Sequence, residues 1–345
     1  MLIVMKREAT ENEIEGVIRE IEQVGYRPHV SRGEERTLIG AIGKGPTPEL
    51  MEHFRALPGV AEVIPISKPY KLASLEVQPF PTVLEFPTGK TGGGHVMVAA
   101  GPCGVESYEQ TLTAARYVRK HGGQMLRGGA FKPRTSPYAF QGLGVEGLKI
   151  LAEARKETGL PVVTEVLSPD QVELVAEYVD ALQIGARNAQ NFPLLQAVGE
   201  AGKPVLLKRG MSMTLEEFLM SAEYILARGN MQVILVERGI RTFEKATRFT
   251  LDVSAVPVLK SWTHLPVWID PSHPAGKREW VTPLALAGLA AGADGIIVET
   301  HPEPEKALSD AAQQLHEHEF AELMNRVRAL VKALGRSLEG AYTPR

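Results

Sequence analysis

The sequence predicts an α/β fold, a (β/α)8 TIM barrel preceded by a small α+β ferredoxin-like (βαββαβ) domain, and three observations predict it. Residues 2–66 carry apolar runs and two amphipathic stretches in the order β-α-β-β-α-β. From residue 96, eight apolar runs of strand length alternate with helical stretches over about 240 residues, the pattern of helices surrounding a closed parallel sheet. Between the two lies a stretch with Pro79, Pro81, Pro87 and Gly92-Gly93-Gly94, where a boundary belongs. The expected organisation is therefore a domain at 1–73, a linker with one extended segment at 74–95, and a barrel at 96–345. An open doubly wound sheet is the alternative, but no Gly-x-Gly-x-x-Gly follows the first barrel run.

In the first domain, residues 2–5 read as a strand. Thr10 to Glu13 form a capping box, and Ile14, Val17, Ile18, Ile21 and Val24 follow at helical spacing until Gly25 ends the helix. Pro28–Ser31 and Thr37–Ile42 flank Arg32-Gly33-Glu34 as a hairpin. Thr47-Pro48 caps a second helix with its apolar stripe at Leu50, Phe54 and Leu57, and Val60–Ile66 reads as the last strand. In the barrel the strand runs are Val96–Ala100, Gln124–Arg127, Val162–Glu165, Leu182–Gly185, Val205–Lys208, Val233–Val236, Val267–Asp270 and Gly295–Glu299. Ser107–Gln110 and Thr214–Glu217 read as capping boxes, Ser168-Pro169 as a cap, and Thr247–Ala255 as the helix after the sixth strand.

The totals exclude several classes. The net charge of −3 offers no global basic field for nucleic acid or a membrane surface. No run approaches the roughly 18 apolar residues of a membrane helix, and the apolar start at Met1–Met5 is too short for a signal-peptide core. Cys103 is the single cysteine, which excludes an intrachain disulfide and fits a reducing cytosol; a cytoplasmic location is expected.

Barrel enzymes place functional groups at the C-terminal ends of the strands. Here every run delivers one: Cys103, then Arg127 with Lys132 beyond it, Glu165, Arg187, Lys208-Arg209, Glu237-Arg238, Asp270 with His273, and Glu299 with His301 and Asp310. They segregate. Arg127, Lys132, Arg187, Lys208 and Arg238 would repel one another at one mouth unless an anionic ligand joined them. Cys103, His273, Glu299 and Asp310 come from strands that neighbour one another once the barrel closes. Sulfur, imidazole and two carboxylates suit a divalent transition metal. The segment Arg127-Gly-Gly-Ala-Phe-Lys-Pro-Arg-Thr-Ser-Pro137 has the chemistry of a rigid cradle for phosphate and carboxylate.

These residues carry a family likeness. Ala99-Ala-Gly-Pro-Cys103, the 127–137 segment, Gly185-Ala-Arg187, Leu207-Lys-Arg-Gly210, Glu237-Arg-Gly239, Asp270-Pro-Ser-His273, Glu299 and Ser309-Asp310 resemble 3-deoxy-D-arabino-heptulosonate 7-phosphate (DAHP) synthase, over about residues 95–335. The first domain resembles the ferredoxin-like regulatory domain of the short form of that enzyme. The resemblance implies a metal-dependent condensation of phosphoenolpyruvate with erythrose 4-phosphate and water, giving DAHP and phosphate, the first step of the shikimate route to aromatic amino acids.

By that resemblance Arg127, Lys132, Arg187, Lys208 and Arg238 hold phosphoenolpyruvate, and Arg134, Thr135 and Ser136 hold the phosphate of erythrose 4-phosphate. Cys103, His273, Glu299 and Asp310 bind one divalent metal ion, with Mn²⁺ favoured and Fe²⁺, Co²⁺, Zn²⁺ or Cu²⁺ compatible. Lys132 is the expected proton donor and Glu165 the residue that orients water, while Asp270 sits near the sugar hydroxyls. Tyrosine or phenylalanine is the expected effector, and a homotetramer the expected assembly. Pro274-Ala-Gly-Lys-Arg278 matches nothing in that pattern. Three alternatives stay open: the sister synthase making 3-deoxy-octulosonate 8-phosphate, a Schiff-base aldolase using Lys208, and a non-catalytic amino-acid sensor.

Overall fold

The computed structural model describes residues 1–33, 36–43, 45–65, 68–133 and 136–338. They form two compact units, one of Met1–Pro81 with Ser261–His264, the other of Thr82–Lys260 with the described residues from Leu265 onward.

The first unit holds β1 (Leu2–Met5), α1 (Glu11–Gln23), β2 (Arg27–Arg32), β3 (Thr37–Ile42), α2 (Pro48–Arg55) and β4 (Val60–Ile64). The strands form one antiparallel sheet in the order β2-β3-β1-β4. The expected capping box is present: Glu13 N donates to Thr10 Oγ1, and Thr10 N donates to Glu13 Oε2 at 2.7 Å. The apolar stripe of α1 (Ile14, Val17, Ile21) and Phe54 of α2 pack with Ile3, Met5, Ile39 and Val63 into one core. The strand expected at Val60–Ile66 ends at Ile64, because Pro65 has no N–H for the ladder. Ile66 and the hairpin residue Glu34 lie outside the described residues.

In the second unit, β5 (Leu84–Phe86) and β6 (Gly89–Thr91) pair as a hairpin, where one extended piece of a linker was expected. Eight parallel strands follow: β7 (Met97–Gly101), β8 (Met125–Arg127), β9 (Val162–Glu165), β10 (Ala181–Ile184), β11 (Val205–Lys208), β12 (Val233–Glu237), β13 (Val267–Ile269) and β14 (Gly295–Glu299). They close into a barrel through the β14–β7 pairing, Gly295 opposite Met97 to Glu299 opposite Gly101. Alternate side chains fill the interior, among them Met97, Ala99, Met125, Val163, Leu206, Ile234, Trp268 and Ile297, with Leu84 of the hairpin packed against them. The hairpin also closes the end where the strands begin. Thr91 Oγ1 donates to Asp294 O at 2.8 Å, Thr88 Oγ1 to Gln124 O at 2.5 Å, and Trp268 Nε1 to Thr91 Oγ1 at 2.7 Å.

The surrounding helices are α3 (Tyr108–Lys120), α4 (Val145–Thr158), α5 (Val172–Tyr178), α6 (Phe192–Glu200), α7 (Leu215–Leu226), α8 (Ala255–Trp262), α9 (Ser272–Ala275), α10 (Arg278–Ala290) and α11 (Glu317–Ala333). Two expectations are corrected. The helix expected at Thr247–Ala255 does not form; the chain there is irregular, and α8 begins at Ala255. Asp252 decides this, since its Oδ1 accepts from Ala255 N at 3.2 Å as a cap does and its Oδ2 is drawn to Arg209. Ser107 caps α3 through Gln110 N, yet the Gln110 side chain accepts from Glu106 N at 3.3 Å instead of returning to Ser107, so only half of that box exists.

Candidate active site

The open end of the barrel carries a cavity of about 290 Å³ lined by Lys132, Ser136, Glu165, Arg187, Lys208, Met211, Arg238, Arg248, Phe249, His273 and Asp310, among others. Because parallel strands all end here, residues far apart in the chain share it. Of the sequence-predicted cations, Lys132, Arg187, Lys208 and Arg238 line this cavity. Arg127 lies beneath it, 4 % exposed, against the smaller adjoining space it shares with Glu165 and Gln183. Arg134 and Thr135 lie outside the described residues, whereas Ser136 lines the cavity.

Cys103, Glu299 and Asp310 offer one ligand atom each, all within 4.8 Å of one another. Cys103 Sγ is 3.6 Å from Asp310 Oδ2, and His273 Nε2 is 3.5 Å from Glu299 Oε1 and 4.0 Å from Asp310 Oδ2. Three of the four expected ligands thus form one group, and His273 stands beside its two carboxylates. His273 Nδ1 lies 2.6 Å from Asp270 Oδ2, which fixes the ring and leaves Nε2 facing the two carboxylates. A thiol, an imidazole and two carboxylates gathered largely out of solvent make a donor set that fits a divalent transition cation.

Asp270, expected near sugar hydroxyls, is instead 1 % exposed and shares Oδ2 between His273 Nδ1 and Lys208 Nζ, the latter at 2.5 Å. Burial opposes its ionisation, but the charges of His273 and Lys208 hold it well below the usual carboxylate range. Glu299 is likewise held low against burial by His273, Arg127 and Lys132; Arg127 Nη1 donates to its Oε1 at 2.8 Å. Burial, reinforced by Glu299, pushes the Cys103 thiol up to about 11, with Lys132 opposing. Lys132 Nζ donates to Cys103 O at 2.8 Å and to Sγ at 3.0 Å. Burial lowers the pKa of Lys132, yet Cys103 and Glu299 outweigh it, so the ammonium is favoured. Burial lowers that of His273 despite Asp270 and Glu299.

Glu165 reaches the cavity because Gly185 has no side chain: a Cβ there would lie 2.0 Å from Glu165 Oε1. Gln183 Nε2 donates to its Oε2 at 3.2 Å. Arg238 stacks on Phe249, its guanidinium 4.4 Å from the ring centroid, and its Nη1 is buried with no hydrogen-bond partner among the described residues. Burial draws the Arg238 pKa below its ordinary value, Asp270 opposes, and Arg248 adds to the depression. Such a group calls for an anionic partner.

Neighbouring strand-end residues part company. Lys208 and Arg238 face the cavity, while Arg209 and Glu237 pair with each other at 2.9 Å, and Arg209 also holds Asp252 at 2.8 Å. His301 turns to Glu106, 3.4 Å away, and accepts from Glu303 N. The sequence reading missed Met211, Arg248, Phe249, Gln183 and Gln313. Gln183 alone had a readable signal, a polar residue in the middle of an apolar strand.

A parallel barrel whose mouth joins cations to a thiol–imidazole–carboxylate set defines a class: a barrel enzyme for anionic substrates with a site fit for a divalent metal. The model of the DAHP synthetase I family matches residues 74–333, and that of the DAHP synthase ferredoxin-like domain matches residues 1–68. The chain belongs to the DAHP synthetase I family. It is 51% identical over 335 residues to phospho-2-dehydro-3-deoxyheptonate aldolase of Thermotoga maritima, covering 97% of this chain and 99% of that one. It is 34% identical over 243 residues to 2-dehydro-3-deoxyphosphooctonate aldolase of Syntrophotalea carbinolica, covering 65% of this chain and 87% of the relative. The crystal structure of the Thermotoga maritima enzyme superposes with a TM-score of 0.78 at 50% identity, over 98% of this chain and 99% of that chain. A truncated form of the Thermotoga maritima synthase gives 0.74 at 50% identity, over 78% of this chain and 99% of that chain.

Proposed function

We propose that the chain condenses phosphoenolpyruvate with erythrose 4-phosphate and water to give DAHP and inorganic phosphate, the first step of the shikimate pathway. One observation carries the reading: Lys132, Arg187, Lys208 and Arg238 share a single cavity with His273 and Asp310 of the thiol–imidazole–carboxylate set. Phosphoenolpyruvate brings a phosphate and a carboxylate, erythrose 4-phosphate a second phosphate, and these anions balance the converging cations.

In this reading Arg187, Lys208 and Arg238, with Arg127 below, fix phosphoenolpyruvate, and the Ser136 end of the cavity takes the phosphate of the aldose. Arg134 and Thr135 are assigned to that same phosphate by the family likeness alone. Holding both substrates in one cavity makes the bimolecular step effectively unimolecular. C3 of phosphoenolpyruvate forms a bond to the aldehyde carbon, and the aldehyde π pair becomes an alkoxide. Lys132, kept as an ammonium by its neighbours, is placed to protonate that oxygen. The attack leaves C2 electron-poor; water oriented by Glu165 adds there and loses one proton. The C2–O bond to phosphate then breaks as the new C2 hydroxyl gives up its proton, leaving the ketone and inorganic phosphate that carries that proton away. Cys103, His273, Glu299 and Asp310 would hold the divalent ion, Mn²⁺ by preference. When bound it supplies Lewis acidity toward the aldehyde oxygen. Asp270 acts through others here, steadying His273 and Lys208.

Phosphate release from phosphoenolpyruvate with erythrose 4-phosphate tests the reading. It should be abolished by EDTA and restored by Mn²⁺. Release only with arabinose 5-phosphate would instead make the chain a synthase of the octulosonate type, as in the relatives at 34% identity. Borohydride trapping at Lys208 would favour a Schiff base, a role that its bond to Asp270 argues against. We further infer feedback inhibition by tyrosine or phenylalanine through residues 1–73, supported by the ferredoxin-like match at 1–68. Equal sensitivity in a chain beginning near residue 75 would refute it. A homotetramer is the assembly proposed by family likeness, and sedimentation velocity measures it.

A further inference from the structure

We propose that Arg248 and Gln313 are a positioning pair that orients the carboxylates of Asp310 and Glu299 and so sets the affinity for the divalent ion from the irregular segment after β12. This rests on the metal reading above. Arg248 Nη1 donates to Asp310 Oδ1 at 3.3 Å and to Gln313 Oε1 at 3.2 Å. Gln313 Nε2 donates to Glu299 Oε2 at 2.7 Å. The result is one chain of contacts, Asp310–Arg248–Gln313–Glu299, running between the two carboxylates. Gln313 is buried, and its amide has one workable orientation. Turned over, its NH2 would face a guanidinium and its oxygen a carboxylate.

Each contact leaves the other carboxylate oxygen toward the remaining ligands. With Oδ1 held by Arg248, Asp310 Oδ2 faces Cys103 Sγ and His273 Nε2. With Oε2 held by Gln313, Glu299 Oε1 lies on the side of His273 and Arg127. Asp310 is also the single non-glycine residue with positive φ, 48°, among the described residues, so the backbone as well as Arg248 fixes where it points. Gln313 N donates to Asp310 O at 3.4 Å, which places both residues in one turn.

The position of Arg248 is itself built in. Gly276 has φ 66° and closes α9, and a Cβ there would lie 2.8 Å from Arg248 Cβ. The next residue, Phe249, donates its N–H to Pro274 O at 3.1 Å, and Ile240 pairs with Thr250 across the segment. The sequence Pro274-Ala-Gly-Lys-Arg278, which matched no expected pattern, thereby gains a role. Its first three residues seat Arg248 immediately after the ligand His273, while Arg278 bonds Gln314 O, Glu305 and His316.

The test measures Mn²⁺ dissociation constants for the full chain by competition with a chelating dye. Outer contacts of this kind typically change metal affinity 10–100-fold. Arg248→Ala and Gln313→Ala are each expected to weaken Mn²⁺ binding by about 10-fold or more, and the double variant by less than the product of the two, since they form one chain. Arg248→Lys, which keeps the positive charge on a shorter side chain, should recover part of the loss. An Arg248→Ala affinity within about twofold of the parent chain overturns the proposal. So does a rise in KM for erythrose 4-phosphate at unchanged Mn²⁺ affinity, which would make Arg248 a direct phosphate ligand. A parent chain that binds no Mn²⁺ removes the metal reading and this inference together, whereas parent binding with indifferent variants removes this inference alone.

Discussion

The two ends of the barrel handle buried charge in opposite ways. At the closed end Asp294, 1 % exposed, is fully partnered: its carboxylate accepts from Lys260 Nζ at 2.6 Å, Arg336 Nη2 at 2.8 Å and Val267 N at 3.0 Å. At the open end Lys132, Arg187, Lys208, Arg238 and Arg248 face one cavity, and Arg238 leaves Nη1 buried with no partner among the described residues. The closed-end carboxylate is partnered within the chain, whereas at the open end Arg238 is the group that an anionic ligand would complete. Substitutions at the first should cost stability, and substitutions at the second should cost turnover.

The largest effect on folding is expected for Asp294→Ala. It leaves Lys260 and Arg336 without their carboxylate, and breaking a buried pair from one side costs about 3–5 kcal/mol. Urea denaturation measures this, and turnover per folded molecule should be unchanged. A loss below about 1 kcal/mol would erase the contrast from the structural side, since that is the worth of an exposed pair.

Arg238→Met probes the other side. Losing one preorganised charged donor should lower kcat/KM by about 10²–10³-fold, about 3–4 kcal/mol of transition-state stabilisation. Its melting temperature should hold or rise, because a buried, incompletely partnered charge is replaced by an apolar chain of similar length. A destabilisation matching that of Asp294→Ala would show that Arg238 belongs to the scaffold.

The same contrast explains how far the site could be read from the sequence. The barrel was legible because buried parallel strands read as continuous apolar runs. The topology then dictates that their C-terminal ends converge, so Cys103, Lys132, Glu165, Arg187, Lys208, Arg238, His273, Glu299 and Asp310 could be named from strand ends alone. The sequence does not say which of two adjacent strand-end charges serves the site. Lys208 and Arg209 look equivalent in the chain, yet Arg209 is spent on Glu237 and Asp252. The residues that escaped lie where long-range contacts, not local periodicity, fix the backbone. Arg248 is placed by Gly276, Phe249 by Pro274, and Gln313 by a turn from Asp310. Local propensity suggested a helix at 247–255, and tertiary packing overrode it, although Pro257 in the first turn of α8 was a usable sign that the helix starts near 255.

Metal addition sharpens the comparison from the ligand side. An ion that binds only the folded chain stabilises it by RT ln(1 + [L]/Kd), or about 2.7 kcal/mol at a hundredfold excess over Kd. Mn²⁺ should therefore raise the melting temperature of the parent chain. In Cys103→Ala the shift should shrink sharply, because one of the converging ligand atoms is gone. An equal shift in both proteins would place the ion elsewhere.

The smallest effect is a pH dependence expected of a fully satisfied scaffold group. His264, in the first unit, is 2 % exposed and its Nε2 lies 2.7 Å from Leu72 O, the geometry of a neutral imidazole donating a hydrogen bond. Burial pulls its pKa down to about 4, although the bond to Leu72 acts in the other direction. Between that value and the ordinary 6.5, the unfolded chain binds a proton that the folded chain refuses. The stability associated with neutral His264 is therefore complete above pH 6.5 and is lost as the pH falls towards 4. At about pH 5.5 the loss should be on the order of 1 kcal/mol, since one pKa unit is worth about 1.4 kcal/mol. Urea midpoints measured across this range should show the slope, and His264→Gln, which keeps a donor but does not titrate, should flatten it. A slope that survives in His264→Gln would assign the acid sensitivity to the charges of the barrel mouth, and the contrast between satisfied scaffold and incomplete site would then have to be drawn without His264.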